Sequence, residues 1–395
     1  MPSDTPTKTR LASIDAYRGF VMLLMMAEVL HLGRMAKTFP ESEFWKFLAW
    51  HQSHVEWVGC SLHDLIQPSF SFLVGTALAF SLAKRQALGQ SLKGLLGHAV
   101  FRAIVLILLG VFLRSVGRKM TNWTFEDTLS QIGMGYLPLV LIALAKPIWR
   151  WVALGVILVG YWAAFAAYPA PDADFFSKNE VGVKSDWEHH PQGFAAHWDK
   201  NSNAAWAFDT SFMNWFPREK PFEYNGGGYS TLSFIPTLGT MIFGLLAGSW
   251  LLAGANQKSL GLLAFMGIVC LTIGYGLDRY GVCPNVKRIW TPTWTIFSAG
   301  WCFLLLAFFM LTTDLIGRSG WAFPLKVIGA NSIVAYCGSH LIGGFVLSSF
   351  KTFFGAEIFQ KLGKDYEPLV SGFAILAVYW LVLWWMYAKK IFVRI

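Results

Sequence analysis

The chain is poor in charge. Of its 395 residues, 14% are Asp, Glu, Lys or Arg, against roughly 25% in soluble domains. Most of it therefore lacks the polar surface that a water-exposed fold needs. Cysteine is scarce, and the five present (Cys60, Cys270, Cys283, Cys302 and Cys337) form no C-x-x-C pair, which argues against a zinc ribbon or a redox motif. A disulfide between Cys60 and Cys283 stays open. The formal charge is +9, yet no run of five basic residues occurs. Scattered Lys and Arg fit lipid head groups rather than nucleic acid, so no nucleic-acid partner is expected. No P-loop, dinucleotide fingerprint or G-x-S-x-G is present, no metal is expected, and no polar segment at the inner face is long enough for a nucleotide-binding domain. A large cofactor must then bind between helices.

What the chain does have is apolar length. Hydrophobic residues make up 55%, and runs near the ~20 residues that cross a bilayer recur throughout. Backbone in lipid must satisfy its own hydrogen bonds, which predicts helices. The alternating ten-residue segments of a β-barrel are missing. The fold expected is an all-α polytopic membrane protein, a bundle of about ten transmembrane helices with a small extracytoplasmic insertion. Helices are placed at 13–32, 61–82, 99–115, 128–145, 151–168, 231–253, 259–276, 294–313, 326–349 and 369–388. The first follows Lys8 and Arg10 as a signal peptide would, but it carries Asp15 and Arg18 with no cleavage site after Leu32, so a retained helix is expected. The organisation that follows is a cytoplasmic tail (1–12), a five-helix half (13–168) with an outer loop at 33–60, an extracytoplasmic insertion (169–230) and a second five-helix half (231–395). Lys and Arg are about twofold denser in the inner segments if both termini are cytoplasmic.

Three constellations stand out. In Arg10–Phe20, Asp15 and Arg18 are three apart and share a helix face; they read as an orienting ion pair or as a phosphate contact through Arg18. In His54–Gly75, a loop histidine precedes a helix whose first turns carry His63, Asp64 and Gln67. A carboxylate beside an imidazole makes a base that works near neutral pH; a solvated loop histidine is the plainer alternative. In Gly329–Tyr336, Asn331 and Ser332 serve either as glue between helices or as the lining of a polar tunnel. The insertion adds Trp187, His190, Trp198, Asn203, Trp206 and Asp209, aromatic and polar groups of the kind that bind sugars, or else a packed cap. The Gly-rich Asn225–Tyr229 stretch that ends it reads as a hinge.

At these residues the sequence resembles the heparan-α-glucosaminide N-acetyltransferase family and its bacterial relatives. The resemblance runs from Arg10 to the last helix. It is strongest at Arg10–Phe20 and His54–Gly75, and is also visible at Trp290-Thr291-Pro292, Gly329–Tyr336 and Asn203–Asp209. It implies a ten-helix core that passes an acetyl group from cytoplasmic acetyl-CoA, as co-substrate, to the amine of a glucosamine across the membrane. The catalytic histidine falls on His54, and Asp64 matches the acidic partner in a D-L-x-x-P motif. The family's usual Asn near the outer end of the first core helix is replaced by the run Ala27-Glu28-Val29-Leu30-His31, and the family's large N-terminal outer domain is not expected here. Cofactor contacts are expected at Arg18, Arg102, Asn331 and Ser332, and acceptor contacts at Glu28, Trp57, Trp206 and Asp209. The expected setting is a bacterial-type inner membrane, multi-pass, with a glycan or amino-sugar acceptor outside; a homodimer is compatible with it. The runner-up reading is a transporter or flippase for a glycan or lipid-linked intermediate, which suits intramembrane polar residues, although no repeat relates the two halves.

Overall fold

The computed structural model describes residues 11–393. Most of the tail expected at 1–12 therefore lies outside the described residues. Sixteen helices and no strands are found among the described residues: α1 (Ala12–Met26), α2 (Leu32–Thr38), α3 (Glu43–His51), α4 (Ile66–Ala87), α5 (Leu92–Ser115), α6 (Thr128–Leu144), α7 (Ile148–Ala166), α8 (Phe175–Lys178), α9 (Ala204–Phe212), α10 (Phe234–Ala253), α11 (Gln257–Arg279), α12 (Pro292–Phe309), α13 (Phe323–Ala330), α14 (Ser332–Leu341), α15 (Gly343–Phe354) and α16 (Glu367–Ala388). Among the described residues, seven helices are long and apolar enough to cross a membrane on their own. Two further pairs, Ala12–Leu30 with Leu32–Thr38 and Ser332–Leu341 with Gly343–Phe354, are bent by 41° and 61° and give up to nine spans. The shorter apolar α6 corresponds to the remaining expected segment. The protein is a polytopic all-α membrane protein.

Two expectations of detail are corrected. The helix placed at 99–115 starts at Leu92 because the Ser91 hydroxyl accepts from the Gly94 amide and caps it. The single helix placed at 326–349 is three pieces. Asn331 breaks it at φ −128°, ψ 45°, because its side chain is used elsewhere: it donates to the Ile391 carbonyl at 2.9 Å and accepts from the Val393 amide at 3.0 Å.

The centre of the bundle is α1, α4, α10 and α12, whose side chains fill the main core. Outer helices present Val156, Val159, Phe265 and Ile268 to their surroundings, as lipid-facing helices do. The closely packed pair α4 and α10 depends on glycine. A Cβ at Gly75 would collide with the Met241 carbonyl, and one at Gly244 with the Phe72 carbonyl. Without a hydrophobic drive between helices in lipid, such close approach is what van der Waals attraction needs. α1 begins where it does because the Asp314 carboxylate accepts from the amides of Ala12 and Ser13, satisfying donors that a helix start leaves free. All five cysteines are free thiols, so Cys60 and Cys283 are not bridged.

Candidate active site

Asp64 sits in the one-turn 3-10 helix His63–Leu65 that leads into α4. An anionic side chain there lies near the positive end of the α4 dipole. It is nearly fully buried, and each of its oxygens is used. Oδ2 accepts from the Ser61 amide (3.0 Å), the Ser61 hydroxyl (3.0 Å) and the Val55 amide (3.3 Å). Oδ1 lies 2.7 Å from His54 Nδ1 and 3.3 Å from Lys287 Nζ. The pair expected from sequence spacing is therefore formed. Its reason is local: the turn at 61–65 folds the start of α4 back beneath the 53–60 loop.

A nitrogen and a carboxylate oxygen 2.7 Å apart need a proton between them. We assign it to His54 Nδ1, which leaves Nε2 with its lone pair. The His54 side chain is 35% exposed. Burial, with the positive charge of Lys287 beside it, lowers its basicity below the usual histidine value despite the Asp64 bond. The neutral ring is the form that takes a proton or attacks a carbonyl. The competing histidines have other partners. His51 Nδ1 accepts from the Leu62 amide at 3.3 Å, and His63 Nε2 lies 3.3 Å from Glu28 Oε1. The His63 ring also stands 4.6 Å from that of His54.

Two cavities are lined by residues of α1 and α4 or of the turns that join them to the His54 loop, and neither lining includes His54 or Asp64 itself. The smaller, about 400 Å3, is lined by Glu28, His31, Arg34, Lys37, Gln52 and His63. It borders the His54 loop through His63. The larger, about 960 Å3, opens near Leu11, Lys84 and Val393, where the described chain begins and ends. Its lining on α4 runs from Phe70 to Ala87, about 26 Å at 1.5 Å per residue. That is close to the ~30 Å of a bilayer's hydrocarbon. Asp15, Arg18, Arg102 and Ser332 line it. Arg18 approaches Asp15 at 3.4 Å. Arg102 stacks on the Tyr136 ring and donates to its hydroxyl at 3.2 Å, while its buried Nε has no partner. Asn331 is absent from the lining and ties down the C-terminal segment instead. Phe70 is six positions from Asp64, about 9 Å; Met22 on α1 and Glu28 in the 3-10 turn Ala27–Leu30 that follows it are spaced alike. Met25, Met26 and Ile66, all buried, occupy that interval.

The expected acceptor residues fall in different places. Glu28 lines the smaller cavity. Trp57 is 1% exposed and donates to the Trp198 carbonyl at 3.1 Å, inside the packing between insertion and loop. Trp206 donates to the Glu223 carbonyl at 2.9 Å. Asp209 is buried, accepts from the Thr231 amide at 2.9 Å, and is pushed up to about 6 by burial. The last three hold the insertion together and onto the bundle. The Asn225–Tyr229 stretch, read as a hinge, is pinned: the Gly227 carbonyl accepts from Arg288 at 2.7 Å, and Gly228, at φ +76°, has no room for a Cβ against Trp57.

No protein-family model matches the chain. Over 426 aligned residues it is 20% identical to heparan-alpha-glucosaminide N-acetyltransferase of Homo sapiens and 21% identical to that of Mus musculus, covering 98% of this chain. The chain is a distant relative of these two N-acetyltransferases. It spans 60% of the length of each. Sequence reasoning missed Lys287 and Arg288, which come from the loop before α12. The available signal was two adjacent cations between Cys283 and the Trp290-Thr291-Pro292 motif, in a chain short of charge.

Proposed function

We propose that the chain is a membrane acyltransferase that moves an acetyl group from acetyl-CoA to the amine, or hydroxyl, of an amino sugar or glycan across the bilayer. The observation that carries this reading is the larger cavity: its lining on α4 is about a membrane long, includes Leu11 and Val393, and stops at Phe70, six positions short of Asp64. With the termini on the cytoplasmic side of a bacterial-type inner membrane, the thioester made inside reaches an acceptor outside without leaving the protein. Arg18, Lys84 and Arg102 are the groups for the phosphates of the donor, with Ser332 beside them. Met25, Met26 and Ile66 are what the acyl arm displaces on its way, and unbranched thioethers yield readily. The smaller cavity receives the acceptor, with Glu28 facing its amine.

His54 Nε2 supplies the chemistry. The acceptor amine attacks the thioester carbonyl, its proton passes to Nε2, the C–S bond breaks, and the CoA thiolate takes that proton from the imidazolium. The same lone pair serves if the imidazole is acetylated first. Asp64 holds the ring and stabilises its charged form. The distant relationship to two N-acetyltransferases supports this class of reaction. The test is transfer of a labelled acetyl group from acetyl-CoA to glucosamine or a glucosamine-ended glycan by protein in nanodiscs. Folded protein that acetylates no amino sugar or glycan sinks the proposal. The two bent helix pairs are the observation on the side of transport, since transporters use broken helices at their binding sites. Movement of a glycan without consumption of acetyl-CoA identifies that case.

A further inference from the structure

The loop that carries His54 is clamped by a segment 233 residues further along the chain. Residues 285–288 run against 55–59. The Gly59 amide donates to the Asn285 carbonyl at 3.0 Å, Val58 pairs antiparallel with Val286, and Arg288 donates to the Val55 carbonyl at 3.0 Å. This delivers the Lys287 ammonium, only 5% exposed, to 3.3 Å from Asp64 Oδ1 and 3.0 Å from His54 Nδ1. Because Nδ1 already carries the proton shared with Asp64, it offers the ammonium no lone pair. Lys287 therefore donates to the carboxylate, and its charge lies against the edge of the imidazole. An ammonium this deep is costly unless paired, and Asp64 is the anion beside it.

We propose that Lys287 is a positioning residue: by sharing Asp64 with His54, it fixes the ring with Nδ1–H toward the carboxylate and the Nε2 lone pair toward the acceptor. The inference rests on His54 being the reacting group. The charged and titratable groups around the ring are Asp64, Lys287 and His63, with Glu28 beyond His63 and Arg288 and Cys60 beside Lys287. Asp64 favours the imidazolium, and Lys287 opposes it. Removing the ammonium leaves Asp64 uncompensated, so the ring protonates more readily and its lone pair is lost at higher pH. A lysine that merely fills space has no such effect on titration.

The test is the rate of diethylpyrocarbonate modification of His54, which only the neutral ring undergoes, followed by peptide mass spectrometry from about pH 5 to 9. Lys287→Met is expected to move the midpoint at His54 upward by about one to two units. Lys287→Arg, which keeps the cation, should stay near the parent. Transfer at pH 6 should fall severalfold, by roughly threefold to twentyfold across that range of shifts, in Lys287→Met and recover toward alkaline pH. An unchanged or lowered midpoint in Lys287→Met overturns the proposal. If that variant does not fold, Lys287→Gln replaces it. The unsubstituted protein tests the proposal independently, because a His54 midpoint well above the ordinary ~6.5 contradicts a cation held against the ring. Modification is read without any transfer, so failure of the acyltransferase reading and failure of this one are separable.

Discussion

Asp64→Asn is the substitution whose consequence follows most fully from the geometry. The amide keeps the size of the carboxylate and can still accept from Ser61 and Val55. It cannot neutralise Lys287, whose Nζ lies 3.3 Å away and is nearly sealed from solvent. Breaking a buried ion pair from one side typically costs about 3–5 kcal/mol. The hydrogen bond to His54 Nδ1 also loses its charge. At roughly 2 °C per kcal/mol for a chain of this size, the unfolding midpoint in detergent should fall by about 6–10 °C. The double variant Asp64→Asn with Lys287→Met removes the stranded ammonium and should regain most of that loss, giving a strongly non-additive cycle. The assay is thermal unfolding of the four proteins in one detergent, followed by circular dichroism and intrinsic Trp fluorescence. A midpoint for Asp64→Asn within about 1 °C of the parent, or a double variant less stable than either single one, refutes the buried pair as described.

Three further outcomes are expected. Arg102→Ala should raise the KM for acetyl-CoA well above any loss in kcat, because Arg102 lines the large cavity, whose lining includes neither His54 nor Asp64; an equal loss in kcat and kcat/KM would place it at the reacting end instead. In pH–rate profiles the acid limb of kcat/KM should lie below ~6.5: burial and Lys287 depress the His54 imidazole, so the neutral, active ring persists to lower pH and is lost only as pH falls through the depressed value. Gly75→Leu should abolish the folded state or leave it severely destabilised, since even a Cβ there meets the Met241 carbonyl, and overpacking alone costs about 1–3 kcal/mol; normal expression and midpoint would contradict the α4–α10 contact.

What was legible in the sequence was mainly local. Apolar runs placed the spans because length and hydropathy are properties of one segment. The His54–Asp64 pair was legible because ten residues of loop and one turn bring them together. The start of α5 was missed because the first turns, with Lys93 and His98, look too polar for a span; the Ser91 cap is what extends them. The break at Asn331 was missed because its partners are 60 residues away, at the C-terminal end. Lys287 was missed for the same reason at greater range. Nothing near it in the chain is acidic except Asp278, whose carboxylate accepts from the Asn285 amide instead. Trp57, Trp206 and Asp209 look like sugar ligands by type, but burial and backbone partners decide their roles, and neither is visible in a string of residues.

The most direct measurement is acetyl transfer from labelled acetyl-CoA to a glucosamine-ended glycan in nanodiscs, comparing the parent with His54→Ala at equal folded amount and with donor binding measured in parallel. His54→Ala should lower turnover by about 10²–10⁴, as for a lost general base, with acetyl-CoA binding kept. Near-parental turnover in His54→Ala, with His51→Ala or His63→Ala inactive instead, would contradict that role.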